Sequence, residues 1–267
     1  MQKKVILVTG ASSGLGRAIA THLAQQGYQV YGTSRKAQAD IGAVRMLQLD
    51  VLDDTSVGTA VGQVIAAAGR IDVLINNAGS GICGAIEDTS IEEARWQMET
   101  NFFGPVRMIR AVLPHMRAQH GGRIITVSSL AGLASLPYQA FYSASKFAIE
   151  ALNEALRLEL SGSGIDATTI NPGDFKTGFT QARIFARDAK TGIQAAQLGK
   201  TVAIYERDEM NGASPQLVAQ LAQRLIESDR VGVRYTVGRL DQRCGMILKK
   251  IISARLFEWI MKKTYSF

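Results

Sequence analysis

Three side chains near the middle of the chain have the types and spacing of a proton-transfer site. Tyr142 and Lys146 are four residues apart at the start of a strong helical pattern, so they share one helix face. A phenol with a pKa near ~10 is a poor acid or base at neutral pH, but an adjacent ammonium stabilises the phenolate and lowers that pKa. Ser129, thirteen residues before Tyr142, closes an apolar run, where its hydroxyl can hold a substrate oxygen. Alone, the Tyr–Lys pair is weak evidence, because such pairs are frequent on helix surfaces.

The segment 9–16 has the composition of a phosphate-binding turn. It follows the first apolar run and opens the first helical pattern, with the spacing TGxxxGxG. Glycine permits a tight turn and a close backbone approach, and the free N–H groups of a helix N-terminus bind pyrophosphate. The sequence therefore predicts a dinucleotide site formed by Gly10, Ser12, Ser13, Gly14, Leu15 and Gly16. A glycine-rich turn needed only for packing is the alternative interpretation.

The same turn contains the pattern G-x-S-x-G, which is typical of the nucleophile elbow of a hydrolase. That fold needs an oxyanion loop before the serine, and an acidic residue and a histidine after it. Only nine residues precede Gly10, and His22, His115 and His120 all lie in the first half of the chain. The order of these residues excludes a hydrolase of this kind.

The end of the second strand pattern predicts which nicotinamide cofactor binds. An NAD site typically has an acidic residue there for the ribose 2′-hydroxyl, whereas an arginine accommodates the 2′-phosphate of NADP. Here Ser34, Arg35 and Lys36 end the strand, and no carboxylate precedes Asp40. The guanidinium can donate two hydrogen bonds to phosphate oxygens, and the lysine adds a point charge. We therefore expect NADP(H), with solvated turn residues as the alternative.

Short β-branched runs alternate with helical patterns along the chain. Strands are predicted at Lys4–Thr9, Gln29–Thr33, Arg45–Asp50, Val73–Asn76, Arg123–Ser128, Asp166–Asn171 and Arg234–Val237, and helices near 14–27, 54–69, 92–119, 140–161 and 215–228. Apolar strands separated by helices indicate β-α-β units and a parallel sheet covered on both faces. The predicted fold class is α/β, with residues 1–267 in a single Rossmann-type domain around a doubly wound sheet of about seven strands.

Two segments depart from this alternation. Residues 174–213 form a long connection, predicted to be a mobile substrate lid with little regular structure. Its apolar side chains favour a lipophilic pocket; they are Phe175, Phe179, Ile184, Phe185, Ile204 and Tyr205. Residues 239–267 form a C-terminal amphipathic extension. Over 246–263 the spacing predicts one apolar helix face, with Lys249, Lys250, Lys262 and Lys263 largely opposite. We expect this face to cover the protein's own core, with a membrane surface as the alternative.

The net charge of +7 is concentrated at the C-terminal end. Residues 230–267 contain nine basic and two acidic groups, whereas residues 1–229 contain 21 of each. A nucleic-acid partner is not expected from this distribution. No apolar stretch approaches the ~20 residues of a membrane-spanning helix, and two isolated cysteines fit a reducing compartment, so a cytoplasmic location is expected. No Cys, His and carboxylate cluster has ligand spacing, so no metal is expected.

A set of motifs in order makes the chain similar to the classical branch of the short-chain dehydrogenase/reductase family. From Lys4 to about Thr177 they are TGASSGLG at 9–16, LDV at 49–51, NNAG at 76–79, Asn101, Ser129, YSASK at 142–146 and NPG at 171–173, with Thr177 beyond. The resemblance implies hydride transfer between a nicotinamide and an alcohol or ketone carbon. The chain departs from the family pattern at Phe175, where valine or isoleucine is more frequent, and the larger ring is expected to narrow the pocket.

The resemblance also implies a role for each matching residue. The catalytic residues would be Tyr142 as general acid and base, Lys146 on the nicotinamide ribose lowering the tyrosine pKa, Ser129 orienting the carbonyl, and Asn101 holding a water in a proton relay. The remaining cofactor contacts would be Asp50 and Val51 at the adenine, Asn77, Ala78 and Gly79 along its ribose, and Pro172, Gly173, Phe175 and Thr177 at the carboxamide. An alternative for Asn101 is a helix-interior polar residue bonded to nearby backbone.

YGTSR at 31–35 and AVLPHMR at 111–117 resemble the family branch that acts on lipophilic alcohols and ketones. We therefore expect an NADP(H)-dependent oxidoreductase with a small-molecule alcohol or ketone substrate, assembled as a homodimer or homotetramer as the family implies. Two alternatives stay open: a cofactor-sensing binding protein, although such proteins usually lose the tyrosine or the lysine, and a membrane-surface protein that uses the basic C-terminal helix.

Overall fold

One parallel sheet forms the centre of the protein. The computed structural model describes residues 3–178, 180 and 182–267. The seven strands of this sheet are β1 (Val5–Val8), β2 (Gln29–Ser34), β3 (Arg45–Gln48), β4 (Val73–Asn76), β6 (Gly122–Val127), β7 (Ile165–Pro172) and β9 (Arg234–Val237). They pair in the order β3-β2-β1-β4-β6-β7-β9, and every pair is parallel. The predicted doubly wound α/β sheet is confirmed.

The helices connect and cover these strands. They are α1 (Gly14–Gln25), α2 (Asp54–Ala68), α3 (Ile91–Met98), α4 (Gly104–Ala118), α5 (Ala140–Glu159), α6 (Ala195–Met210), α7 (Gln216–Glu227), α8 (Leu240–Ile251) and α9 (Ala254–Thr264). Two short strands, β5 (Ile82–Cys83) and β8 (Ile184–Phe185), pair with each other outside the main sheet. No helix among the described residues is long and apolar enough to cross a membrane.

The strands are apolar throughout because both faces of the sheet are buried. In β1, Ile6 and Val8 pack in a core cluster with residues of α1 and α7, whereas Val5 and Leu7 pack on the other face with residues of α2, α4 and α5. All four side chains are at most 2% exposed. Burial of each such aliphatic side chain stabilises the fold by roughly 1.5–3 kcal/mol, so these two layers hold the strand ends in fixed positions.

The strand order places a crevice beside the carboxyl ends of β1 and β4. The chain moves outward from β1 through β2 to β3, then returns to the other side of β1 to form β4, and such a reversal is where ligands bind in open parallel sheets. Thr9, directly after β1, accepts hydrogen bonds at its Oγ1 from the backbone N–H groups of Asn77 and Ala78, both at 2.9 Å. The two strand ends are thereby joined at the edge of the crevice.

The helix predicted near 92–119 is interrupted. A π-helical turn at Glu99–Phe103 separates α3 from α4, and Asn101 lies inside it. Such turns place one extra residue in a helix and are frequent at functional sites. The sequence did not reveal this insertion, because the apolar residues keep helical spacing both before and after it.

The expectation of little regular structure in 174–213 is wrong, because this segment contains β8 and the sixteen-residue helix α6. One face of α6 is buried through Leu198, Val202 and Tyr205. Leu198 and Val202 pack in a small core cluster with Ile82, Cys83, Ala186 and Ala189. Phe179, one of the apolar residues assigned to this segment, lies outside the described residues.

The expectation of one C-terminal helix face covering the core is also wrong. The segment forms two helices, α8 and α9, and Ser253 between them caps α9 by accepting a hydrogen bond from the Leu256 N–H at 3.3 Å. Every residue of both helices is described, and none of them is buried. Lys249 faces the protein and donates to the Leu133 carbonyl, while Ile247 and Ile251 face solvent.

Candidate active site

A cleft of about 470 Å³ opens at the carboxyl ends of the strands. All but three of the residues predicted for the site line it: Gly10, Ser12, Ser13, Gly14, Leu15, Ser34, Arg35, Asp50, Val51, Asn77, Ala78, Gly79, Ser129, Tyr142, Lys146, Pro172, Gly173, Phe175 and Thr177. The other three, Gly16, Lys36 and Asn101, are not among the described residues that line the cleft.

The glycine turn is shaped by close backbone approach. Gly10 has a φ of 66° and Gly14 a φ of 55°, values that favour glycine. A side chain on Gly16 would place its Cβ 2.2 Å from the Gly10 carbonyl oxygen, so Gly16 serves the packing of the turn. Ser13 is the N-cap of α1 but its side chain makes no capping hydrogen bond. The first N–H groups of α1 therefore remain available to an anion in the cleft.

The end of β2 presents one cation to the cleft. Arg35 lines the cleft and is exposed, while Lys36 does not line it and has its carbonyl bonded by the Ser34 hydroxyl at 2.6 Å. Asp40, the first carboxylate after the strand, accepts a hydrogen bond from the Met46 N–H at 2.8 Å and so serves a local turn. The charge expected here is thus supplied by Arg35.

The predicted catalytic residues Ser129, Tyr142 and Lys146 lie together in the cleft. The Ser129 hydroxyl is hydrogen-bonded to the Tyr142 phenol, and its oxygen accepts from the Ala131 N–H at 3.0 Å. Lys146, only 6% exposed, lies with its Nζ 5.8 Å from the centroid of the Tyr142 ring. The Lys146 ammonium donates to the Val127 carbonyl at 2.9 Å, which fixes its position at the end of β6.

Burial controls the protonation of these groups. Desolvation raises the pKa of the Tyr142 phenol, the hydrogen bond with Ser129 opposes this, and nearby Glu209 and Asp174 raise the pKa further. Desolvation also lowers the pKa of Lys146 to about 8, against the opposing charge of Glu150. At neutral pH the phenol therefore carries its proton, the form that donates to a carbonyl oxygen. The expected lowering of the tyrosine pKa by Lys146 stays a prediction.

Asn101 makes the backbone contacts that were the alternative to a relay role. It is 1% exposed, and its Oδ1 accepts from the Ser80 N–H while its Nδ2 donates to the Ser80 carbonyl, both at 2.9 Å. Its Nδ2 also donates to the Ser145 hydroxyl at 3.1 Å. These bonds join the π-helical turn to the segment after β4 and to α5. The proton relay through Asn101 stays a prediction.

The loop after β7 forms the opposite wall. A Cβ on Gly173 would lie 2.2 Å from the Gln242 side-chain oxygen, so glycine lets α8 approach this loop. Phe175 is only 5% exposed and belongs to a core cluster, so most of its ring is directed into the core and only a small part reaches the cleft. Thr177 faces the glycine turn, because a Cβ on Gly14 would lie 3.8 Å from the Thr177 Cβ.

Two carboxylates in the cleft were not predicted from the sequence. Burial raises the pKa of Asp174 to about 6, and Glu209 of α6 accepts hydrogen bonds from Thr180 at 2.6 Å and from Arg183 at 2.5 Å. Both line the cleft. Asp174 directly follows the NPG motif, so its position was a usable signal. Glu209 lies 35 residues further along the chain, and no local pattern marks it.

The arrangement fits a nicotinamide dinucleotide. One end of the cleft has an open helix N-terminus, an exposed arginine and glycines at positions where any larger residue would collide with its neighbours. The other end has a tyrosine, a serine and a lysine. No group of three or more potential His, Cys, Asp or Glu metal ligands occurs within the part of the chain that the structure describes.

Comparison with known proteins agrees with this reading. The profile of the short chain dehydrogenase family matches residues 4–187. A protein of Bacteroides thetaiotaomicron named 3-ketodihydrosphingosine reductase is 47% identical over 267 residues, which cover 100% of this chain and 99% of that protein. A short-chain dehydrogenase of Streptomyces avermitilis is 32% identical in sequence and superposes with a TM-score of 0.85 over 97% of each chain.

A third relative is a short chain dehydrogenase/reductase of Burkholderia phymatum, solved in complex with NAD. It is 25% identical, with a TM-score of 0.80 over 93% of this chain and 92% of that one. The family profile covers well over half of the chain, and the matched range contains every described residue that lines the cleft except Tyr205 and Glu209. This chain is a member of the short-chain dehydrogenase family, an oxidoreductase that acts on alcohol or carbonyl groups.

Proposed function

We propose that the protein is an NADPH-dependent reductase of a lipophilic ketone. The observation that carries this proposal is the grouping of three side chains in the cleft: the Tyr142 phenol is hydrogen-bonded to Ser129 and lies next to the buried Lys146. A neutral phenol in this position can give its proton to a ketone oxygen, and the name of the Bacteroides thetaiotaomicron relative, a reductase, supports this direction of the reaction.

The chain's residues would act on the ketone oxygen. NADPH, when bound, supplies the hydride to the carbonyl carbon. The Ser129 hydroxyl positions the carbonyl oxygen, and the Tyr142 Oη gives that oxygen its proton as negative charge develops. The Lys146 ammonium, anchored on the Val127 carbonyl at 2.9 Å, stabilises the phenolate that remains. Protonation of the phenolate from solvent would complete the cycle.

The preference for NADPH over NADH rests on Arg35. A guanidinium at the end of β2 can form a charge-assisted contact with a 2′-phosphate, and the first carboxylate after that strand, Asp40, is engaged by the Met46 N–H. The Burkholderia phymatum relative was solved with NAD, so membership of the family alone leaves the cofactor open. The charge at β2 is therefore the support for NADPH.

We further propose that the ketone belongs to a long-chain aminoketone, of the 3-ketosphingoid type. The name of the Bacteroides thetaiotaomicron relative suggests this class, which joins a ketone, a neighbouring amine, a hydroxyl group and an alkyl chain. In this chain Trp96, Leu136, Ile184 and Tyr205 line the substrate side of the cleft and suit an alkyl chain.

The carboxylates support the same class of substrate. Asp174 and Glu209 both line the cleft, and the negative charge of each raises the pKa of the Tyr142 phenol. Glu209 is already bonded to Arg183, whereas Asp174 bonds through one oxygen to the Gln242 amide. A substrate ammonium next to the ketone would therefore find its counter-charge at Asp174.

We propose that the active form is a homodimer or homotetramer, as the family resemblance implies.

The experiment is a comparison of three ketones with the purified protein. NADPH oxidation is followed with 3-ketodihydrosphingosine in neutral detergent micelles, with the same ketone lacking the amine, and with a short water-soluble ketone. Mass spectrometry identifies the alcohol formed. We expect turnover in the order aminoketone, long-chain ketone, short ketone. Binding of NADPH without turnover of any ketone would instead favour a cofactor-sensing protein.

A further inference from the structure

The C-terminal helices carry an apolar surface that points away from the protein. In α8, Leu240, Cys244, Ile247 and Ile251 follow each other at spacings of four, three and four residues, which places them along one helix face. The isoleucines are 62% and 76% exposed, and Leu240 is 72% exposed. In α9, Leu256 is 46% and Trp259 is 57% exposed. We call these six residues the outer tail face.

This surface is held in place by the opposite sides of the two helices. Gln242 of α8 exchanges two hydrogen bonds with Asp174, and Lys249 donates to the Leu133 carbonyl. Beyond α9, the Tyr265 ring lies 5.1 Å from the Tyr205 ring. The helices therefore have a fixed inward side, and the outer tail face is directed to solvent by the fold.

Basic side chains surround the outer tail face. Residues 239–267 contain seven basic and two acidic groups. Each acidic group already forms an ion pair with a nearby basic residue: Asp241 with Arg239 at 2.8 Å, and Glu258 with Lys262 at 2.7 Å. The exposed residues Arg243, Lys250, Arg255 and Lys263 form no ion pair with any described residue. The positive charge of this surface is therefore not balanced by the protein itself.

We propose that the outer tail face binds the surface of an anionic lipid bilayer, with α8 and α9 lying in the plane of the interface. Exposed leucine, isoleucine and tryptophan side chains bordered by arginine and lysine are the composition of interfacial helices. Tryptophan is favoured at the boundary between headgroups and acyl chains. The basic side chains would contact lipid phosphates while the apolar ones enter the acyl region.

A second copy of this chain is a poorer occupant for the same surface. A two-fold contact would bring each copy's outer tail face against the same face of the other copy. The four unpaired cations of one chain would then lie close to those of its partner, and like charges in an interface oppose association. An anionic surface, by contrast, balances these charges.

Docking in this way would bring the substrate side of the cleft close to the bilayer. Tyr205 lines the cleft and contacts Tyr265, and Phe267 stacks on Tyr138 with ring centroids 5.8 Å apart. The tail is thus packed on the wall of the substrate pocket. If the proposed lipophilic ketone is the substrate, it would pass from the bilayer to the cleft along the tail; the docking itself does not depend on that substrate.

The test is cosedimentation of the full-length protein with vesicles of phosphatidylcholine alone or mixed equally with phosphatidylglycerol. Wild-type protein is expected to bind the anionic vesicles and to dissociate as salt is raised. Ile247→Ser with Ile251→Ser should weaken binding at least tenfold. Arg243→Gln with Lys250→Gln should weaken it roughly thirtyfold. The matched controls are Leu158→Ser, at a position that is 80% exposed on α5, and Arg224→Gln on α7, and they should bind like wild type.

Two further measurements keep the outcome clear. Every variant should reduce a water-soluble ketone at the wild-type rate, since none of the substituted residues lies in the cleft; this separates the docking from the proposed reaction. Sedimentation velocity without lipid reports the association state. Any of three results would overturn the proposal. All variants could bind anionic vesicles equally well, or wild type could bind neutral vesicles as tightly as anionic ones. The isoleucine variant could also form a smaller assembly without losing vesicle binding.

Discussion

Gln242 and Asp174 form a reciprocal pair that ties the C-terminal helix α8 to the cleft. The Gln242 Oε1 accepts a hydrogen bond from the Asp174 N–H at 3.1 Å, and its Nε2 donates to the Asp174 carboxylate. Asp174 directly follows Gly173, the glycine that leaves room for this glutamine. One residue of the tail therefore positions a carboxylate in the cleft that Tyr142 also lines.

The Asp174 carboxylate leads to a pH prediction. Burial raises the pKa of Asp174 to about 6, so the group loses its negative charge as the pH falls through that value. If it binds a substrate ammonium, the KM for the aminoketone should rise as the pH falls below about 6 and level off above it. Asp174→Asn should raise that KM by about tenfold at neutral pH, the effect of one lost charge-assisted contact.

The control for this prediction is the same long-chain ketone without its amine. Its KM should change little with pH or with Asp174→Asn, because it has no charge for the carboxylate to balance. A parallel rise in KM for both ketones would mean that Asp174 shapes the loop and does not bind the ammonium.

Arg35 should determine the cofactor. We expect NADPH to bind ten- to a hundredfold more tightly than NADH, which corresponds to about 1.5–3 kcal/mol for a hydrogen-bonded charge pair. Arg35→Gln should remove most of that difference by weakening NADPH alone. Lys36→Gln is the matched control, because Lys36 does not line the cleft, and its effect should be smaller. Fluorescence titration with both cofactors measures this, and tighter binding of NADH by wild type would contradict it.

Tyr142→Phe should abolish most turnover and leave cofactor binding intact. The ring keeps its packing, and only the transferable proton and the bond to Ser129 are lost. Groups of this kind contribute ~10²–10⁴-fold to the rate. Single-turnover kinetics with NADPH and a confirmed ketone gives the rate, and titration gives the affinity. Near-wild-type turnover in this variant would show that another group supplies the proton.

The segment 174–213 should respond to ligands in spite of its regular structure. Its helix α6 carries Tyr205 and Glu209, which line the cleft. The segment also contains four glycines, Gly178, Gly192, Gly199 and Gly212. Closure over the nicotinamide end would exclude water from Tyr142 and Ser129 and strengthen their effect on the developing charge. We expect amide hydrogen exchange in 182–213 to slow markedly in the ternary complex. Equally slow exchange in both states would indicate a rigid wall.

The sequence alone predicted the parallel sheet, the glycine turn and the grouping of Ser129, Tyr142 and Lys146. These three features depend on short-range patterns. Apolar runs alternate with helical spacing along the chain, and in one of the motifs Tyr142 and Lys146 are one helical turn apart. Residues close in sequence and joined by regular structure keep a fixed geometry, so their spacing already contains the contact. The carboxyl ends of parallel strands then bring Gly10, Asn77 and Ser129 to one edge of the sheet.

Only the tertiary structure decided the contacts between distant segments and the direction in which amphipathic helices face. Glu209 reaches the cleft because α6 packs on a core cluster, and Gln242 reaches Asp174 across 68 positions of the chain. The tail contains enough apolar residues to cover a core, yet Lys249 faces inward and Ile247 outward, because the inner side of α8 is fixed by hydrogen bonds to backbone and carboxylate groups. Periodicity shows that a helix has two faces, but which face is buried depends on the partner that the fold provides.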